Sequence, residues 1–203
     1  MDAQKLQLKI FLTPESARAA DPEALIPVFH RWIKEHVLQE LAIDVANYLH
    51  VPQGPGVVLI GHGSDYFLDE AEGRRGLLHN RKRGGFDPQE RLGDLARRTF
   101  HAAQLLERDA SLEGKFRFAT GELLLRVNDR LLAPSTDATL AALKPEIDAF
   151  ASKLFGGPFD LTRAGGPKDP FAVRLSCSSA PSLATLLERA GGAPLPDATV
   201  AAN

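Results

Sequence analysis

One cysteine, one methionine, one tryptophan and two tyrosines are all that this 203-residue chain holds of those four types. With Cys177 alone, no intrachain disulfide can close and no cysteine-based zinc site can be built. A reducing compartment is therefore expected, and a cytoplasmic location with it. No apolar run approaches the ~20 residues that span a bilayer. Met1-Asp2-Ala3-Gln4-Lys5 leads directly into alternation and not into an apolar leader, so neither a signal peptide nor a membrane partner is expected. Charge of one sign is also missing: 24 Lys and Arg stand against 26 Asp and Glu, a formal net charge of −2. That balance argues against a general affinity for nucleic acid. Phe116 and Phe118 alternate around Arg117 in an apolar pattern and are expected in the core instead of stacking on bases. Gly54-Pro55-Gly56 and Gly165-Gly166-Pro167 lack the lysine, hydroxyl residue and helix of a phosphate loop.

What is present is ordinary globular material, 44% apolar and 25% charged, enough for a sizeable core. Residues 5–12 alternate and read as a half-buried strand. Asp21-Pro22-Glu23 is a helix start, followed by Leu25, Val28, Phe29, Trp32, Ile33 and Val37 at helical spacing. Asp87-Pro88-Gln89-Glu90 opens a second helix that runs to about residue 108. Residues 115–119 and 123–127 read as a hairpin about Gly121-Glu122. A helix over 135–155, interrupted at Lys144-Pro145 and closed by Gly156-Gly157, comes next. Two strands, 159–163 and 171–176, and a short helix over 182–190 complete the pattern. Adjacent strands joined by short turns predict an α+β fold, mostly antiparallel sheet with helices packed on one side. Residues 1–190 are expected to form one domain, with tightly packed subdomains 1–110 and 111–190 as the alternative, and 191–203 a flexible tail.

Residues 42–85 carry the candidate site. Three strand-like runs separated by Pro52–Gly56 and by Glu72-Gly73 read as a three-stranded meander over 42–81. A two-residue turn at Glu72-Gly73 pairs Leu68 with Leu77, Tyr66 with His79, Ser64 with Arg81 and His62 with Arg83. A five-residue loop over 52–56 pairs Tyr48 with Ile60, Ala46 with His62 and Asp44 with Ser64. The two registers agree. They give an apolar face of Ile43, Val45, Leu49, Val51, Val57, Leu59, Phe67 and Leu78. The opposite face collects Asp44, Tyr48, His50, His62, Ser64, Tyr66, His79, Arg81 and Arg83.

Three chemistries are available to that polar face. Arg81 and Arg83 could fork onto a phosphate or carboxylate, although Asp65, Asp69, Glu70 and Glu72 stand ready to neutralise neighbouring cations. Ser64, His62 and Asp44 could act as nucleophile, base and orienter, but no Gly-x-Ser-x-Gly elbow is present. His50, His62 and His79 lie several rungs apart, too far to converge on one ion. No metal and no cofactor is therefore expected. Gly61-His62-Gly63-Ser64 after an apolar strand has a passing likeness to the strand-end His-Gly-Ser of sirohydrochlorin-type metal chelatases. In that family the strand opens the chain and feeds a parallel α/β unit, whereas here it is internal and leads into a hairpin.

The expected function is that of a non-catalytic binding protein. It would recognise a small anionic ligand or a protein partner through the 44–83 face, with His62, Ser64, Tyr66, His79, Arg81 and Arg83 as contacts. A hydrolase or transferase using His62, Ser64 and Asp44 is the enzymatic alternative. A homodimer built through sheet-edge or helix pairing is the structural one.

Overall fold

A computed structural model describes residues 4–82 and 90–193. Its frame is one eight-stranded antiparallel sheet, in the order β2-β3-β4-β5-β1-β6-β8-β7. The strands are β1 (Leu6–Leu12), β2 (Ala42–Asn47), β3 (Val57–Gly61), β4 (Ser64–Asp69), β5 (Gly76–Arg81), β6 (Phe118–Val127), β7 (Asp160–Ala164) and β8 (Phe171–Ser176). Between them run α1 (Pro14–Ala19), α2 (Leu25–Glu35), α3 (Arg91–Arg108), α4 (Asp137–Phe155) and α5 (Leu183–Arg189). The fold is α+β, as the strand and helix pattern implies.

β1 was expected to be half buried and is buried along its whole length. It sits between β5 and β6 and hydrogen-bonds to both. Leu6, Leu8, Ile10 and Leu12 join the main core with Leu123, Leu125, Val173 and Leu175. The helices bring Phe29 and Trp32 of α2, Leu95 and Phe100 of α3, Leu143 and Ile147 of α4 and Leu186 of α5 to the same core, so the helices cover one sheet face. On the other face, Phe11, Leu124 and Ala172 form a small second cluster. Lys9 is buried beside it because its ammonium has three acceptors: Asp69 at 2.5 Å and the carbonyls of Ala71 and Arg74 at 3.1 and 2.6 Å.

Local chemistry explains the element boundaries. Thr13 caps α1 by accepting from the amide of Ser16, with Pro14 at the first helical position. Asp21-Pro22 begins a 3₁₀ turn over Pro22–Ala24 that passes into α2. The helix expected to break at Lys144-Pro145 is instead continuous through α4. Pro145 lies on the exposed side, and so does Ala141, the residue whose carbonyl loses its partner, so water can replace the missing bond. Gly156 ends α4 at φ 66°, and Arg189 donates to the Leu154 and Phe155 carbonyls there, at 3.1 and 2.6 Å.

The hairpin expected about Gly121-Glu122 is overturned: β6 is one strand of ten residues. Gly121 is needed for close approach, not for a turn, since a Cβ there would stand 2.9 Å from the Cys177 carbonyl oxygen. The three-stranded meander is also corrected. The run 57–68 is two strands, β3 and β4, reversed at His62-Gly63, so the segment is a four-stranded meander. The start of the second expected helix, Arg83 and most of the C-terminal tail lie outside the described residues.

A buried polar cluster and an open sheet edge

The β4–β5 register is the expected one: Ser64 faces Arg81, Tyr66 faces His79 and Leu68 faces Leu77. These residues do share a face, but it is the one beneath the helices. Reversal at His62-Gly63 pairs Leu59 with Tyr66, which sets Val57, Leu59, Ser64, Tyr66, Leu68, His79 and Arg81 together. Phe67 and Leu78, expected inward with Leu59, point to the opposite face. His79 is 0% exposed and Arg81 1%.

α3 supplies the partners that make this burial tolerable. Arg81 is ion-paired through Nη2 to Asp94 and donates from Nη1 to the Arg91 carbonyl at 3.3 Å. Asp94 also receives Arg97 and, at 2.9 Å, Arg98 Nε. Even with Asp94 beside it, burial brings the Arg81 guanidinium down to about 10, which leaves it charged at neutral pH. His79 Nδ1 lies 3.2 Å from the Leu95 carbonyl and 3.1 Å from Thr99 Oγ1. Burial pushes this imidazole down to about 3. Tyr66 stacks on it, with ring centroids 4.5 Å apart and planes within 7°. The Tyr66 hydroxyl donates to Glu40 Oε1 at 2.7 Å, and burial first, then the Glu40 charge, raises its pKa well above the usual range. Glu40, from the segment between α2 and β2, was not anticipated. Its only signal in the sequence is that Gly61 and Gly63 leave room for a side chain: Cβ atoms there would lie 3.2 and 3.5 Å from Glu40 Oε2.

The remaining expected contacts are dispersed. His62 is exposed in the β3–β4 turn, while Ser64 is buried. Asp44 faces Ile60 and not Ser64, because the β2–β3 connection runs from Tyr48 to Gly56. No hydrogen bond joins Asp44, His62 and Ser64 among the described residues. His50 and Tyr48 are exposed beyond the end of β2. Among the described residues, no group of three or more His, Cys, Asp or Glu side chains could hold a metal. Nor is any described helix long and apolar enough to cross a membrane.

A second feature lies at the sheet edge. Among the described residues, β2 pairs on one side only. Leu41 is 61% exposed and Ile43 55%, and Tyr48, Leu49 and Val51 are 40% or more. These are five of the seven exposed large apolar side chains among the described residues, the other two being Leu131 and Leu132. Tyr48, Leu49 and Val51 also line a cleft of about 730 Å³ with Pro55, Phe67 and Pro22. No protein-family model matches this chain, and no curated protein matches it either.

Proposed function

We propose that this chain is a non-catalytic binding protein that docks a protein partner at the β2 edge and the 48–56 loop. The observation that carries this reading is the concentration of exposed apolar side chains within residues 41–51. Scattered single apolar residues are normal on a protein surface, but exposed apolar side chains gathered on an edge strand and the loop after it, three of them lining a cleft, mark a contact surface. Phe67 lines the cleft as well, so a partner's apolar side chain would meet an aromatic ring there. The small-anion reading gains less support, since Arg81 is turned inward onto Asp94. The hydrolase reading lacks the contacts that proton transfer between Ser64, His62 and Asp44 requires.

A photo-crosslinking residue placed at Ile43, in the cells the chain comes from, tests the proposal. One discrete adduct is expected, absent when the crosslinker sits at exposed Lys144 on α4 and lost when Leu49→Asp is added. These side chains are exposed, so the melting temperature should stay within ~1–2 °C of the parent. Equal labelling from Ile43 and Lys144 would defeat the docking reading.

A further inference from the structure

The β2 edge offers open backbone groups as well as apolar side chains. In an antiparallel ladder, alternate residues turn their amides and carbonyls toward one neighbour and the rest turn them away from it. The Tyr48 amide donates to the Gly56 carbonyl at 2.8 Å, and the register continues through Ala46–Val58 and Asp44–Ile60. Even-numbered residues here therefore bond inward, and Val45 and Asn47 face out. Val45 N–H is held by Asp44 Oδ1 at 2.8 Å. No hydrogen bond occupies Asn47 N–H among the described residues. Ile43 sits at a bulge and Leu49 in the turn that follows, so the regular outward edge is Val45 and Asn47. Ala42–Asn47 contains neither lysine nor proline, residues that natural edges use against pairing.

Resting on the docking reading of this edge, we propose that the partner is a second copy of the chain, added antiparallel through β2 about a two-fold axis beside Ala46. The edge is self-complementary in that arrangement. Val45 pairs with Asn47 of the second copy and Asn47 with its Val45, so both outward residues of each strand are used. Moving the axis by one residue would bring in Ile43 at the bulge or Leu49 in the turn. Ala46 meets its own counterpart at the axis, in a non-hydrogen-bonded pair where side chains come closest and a methyl group fits. The open Asn47 amides donate at once to the facing Val45 carbonyls. The Val45 amides bond across only when Asp44 lets go. Asp44 then stands opposite Tyr48 of the second copy, whose hydroxyl is a donor for the freed carboxylate. The two Asp44 carboxylates lie four residues apart along the ladder, ~13 Å, so like charges do not meet. The apolar side chains are divided by the same axis: Leu41 and Ile43 precede Ala46, and Tyr48, Leu49 and Val51 follow it. The rotation sets the first group of one copy beside the second group of the other. The contact is short, well under the ~20–30 residues a side of a stable interface, so the dimer is weak and reversible.

Disulfide trapping reads the register. In a Cys177→Ser background each engineered cysteine is alone. Ala46→Cys sets two thiols face to face at the axis and should oxidise to a covalent dimer. Asp44→Cys sets them ~13 Å apart, beyond the ~7 Å between Cα atoms that a disulfide bridges. It should stay monomeric alone and couple to Tyr48→Cys when the two are mixed. Sedimentation over a concentration series reads association without oxidant. Asn47→Pro removes the open N–H and, because that group faces outward, no bond to β3. It should raise the dissociation constant tenfold or more while leaving the apolar side chains in place. Three outcomes would overturn the proposal: Ala46→Cys and Asp44→Cys dimerising equally, Asn47→Pro associating as strongly as wild type, or wild type staying monomeric up to about 1 mM. A monomeric wild type that still gives one discrete adduct with a different protein from Ile43 removes the second copy and keeps the docking reading. A monomer without such an adduct removes both.

Discussion

His79 shows how a titratable side chain becomes part of a core. The Leu95 carbonyl can only accept, so Nδ1 carries the proton and Nε2 the lone pair. Nε2 faces Glu40 Oε1 at 4.0 Å, and neither Nε2 nor Glu40 Oε2 has a hydrogen-bond partner among the described residues. Around the ring, α3 contributes Asp94 and Arg98, β5 contributes Arg81, and the segment before β2 contributes Glu40. Burial dominates and holds the folded pKa at about 3, against 6.5 for an ordinary histidine. The sign follows. Above pH 6.5 both folded and unfolded chains hold a neutral imidazole, and its contribution to stability is intact. As pH falls toward 3 the unfolded chain binds a proton that the folded one refuses, and stability drops by about 1.4 kcal/mol per pH unit from this group. In His79→Asn the amide nitrogen takes the place of Nδ1 and still donates to Leu95. That variant should be less stable at pH 7 yet show a shallower decline between about pH 6.5 and 4. Urea denaturation across that range measures both slopes. Parallel curves would mean that His79 is already protonated, or still titrates normally, in the folded protein.

At the scale of elements, α3 is pinned to β5 by one carboxylate. Asp94 receives three arginines, of which Arg81 is almost wholly buried. Asp94→Ala should cost about 3–5 kcal/mol, because it strands a buried charge. Arg81→Met added to Asp94→Ala should recover much of that loss, since the cation is then gone as well. Guanidinium unfolding of the four proteins gives the cycle, and a double variant no more stable than Asp94→Ala would reject the pinning. This packing was only partly legible in the sequence. The β4–β5 pairing could be read because a short turn at Glu72-Gly73 fixes which residues face each other. Which side of the sheet that row faces could not, because the run from Val57 to Leu68 reads as one continuous strand and conceals the reversal at His62-Gly63. The two glycines there were a signal that fitted a thinned strand equally well. The β2–β3 register slid by four residues, Asp44 meeting Ile60 in place of Ser64, since the loop from Tyr48 to Gly56 folds on its own hydrogen bonds. The helix caps at Thr136, Ser182 and Gly156 follow from local chemistry, which is why those ends fell within a residue or two of expectation. Gly121 and Pro145 misled because each is read locally as a breaker, while long-range contact and solvent exposure decide their fate.

Across the whole molecule, the strand order joins what the chain order separates. β1 comes first in sequence yet lies between β5 and β6, so its hydrogen bonds tie the meander to the strands that follow residue 110. The two sheet ends are protected by different means. In β2 the Val45 amide donates to Asp44 Oδ1 at 2.8 Å beside a bulge, and β7 is short and exposed, with Arg163 held by Asp137 of α4 at 2.8 Å. If the halves 1–110 and 111–190 were separate folding units, β1 would have to leave one of its neighbours while the other half stayed folded. That would expose Leu8 and Ile10 together with Leu123 and Leu125, all of them buried in one core. Removing four such side chains from their packing costs on the order of 1.5–3 kcal/mol each, too much for a populated intermediate in a protein whose total stability is about 5–15 kcal/mol. The scarcity of tryptophan and cysteine makes the point measurable. Trp32, on α2, reports the first half by its fluorescence, and Cys177, just after β8, reports the second by its rate of thiol labelling. In urea, the two signals should trace one transition with the same midpoint and slope. A fluorescence midpoint displaced from the thiol midpoint would show that the sheet can part between β1 and β6, and that its halves are domains after all.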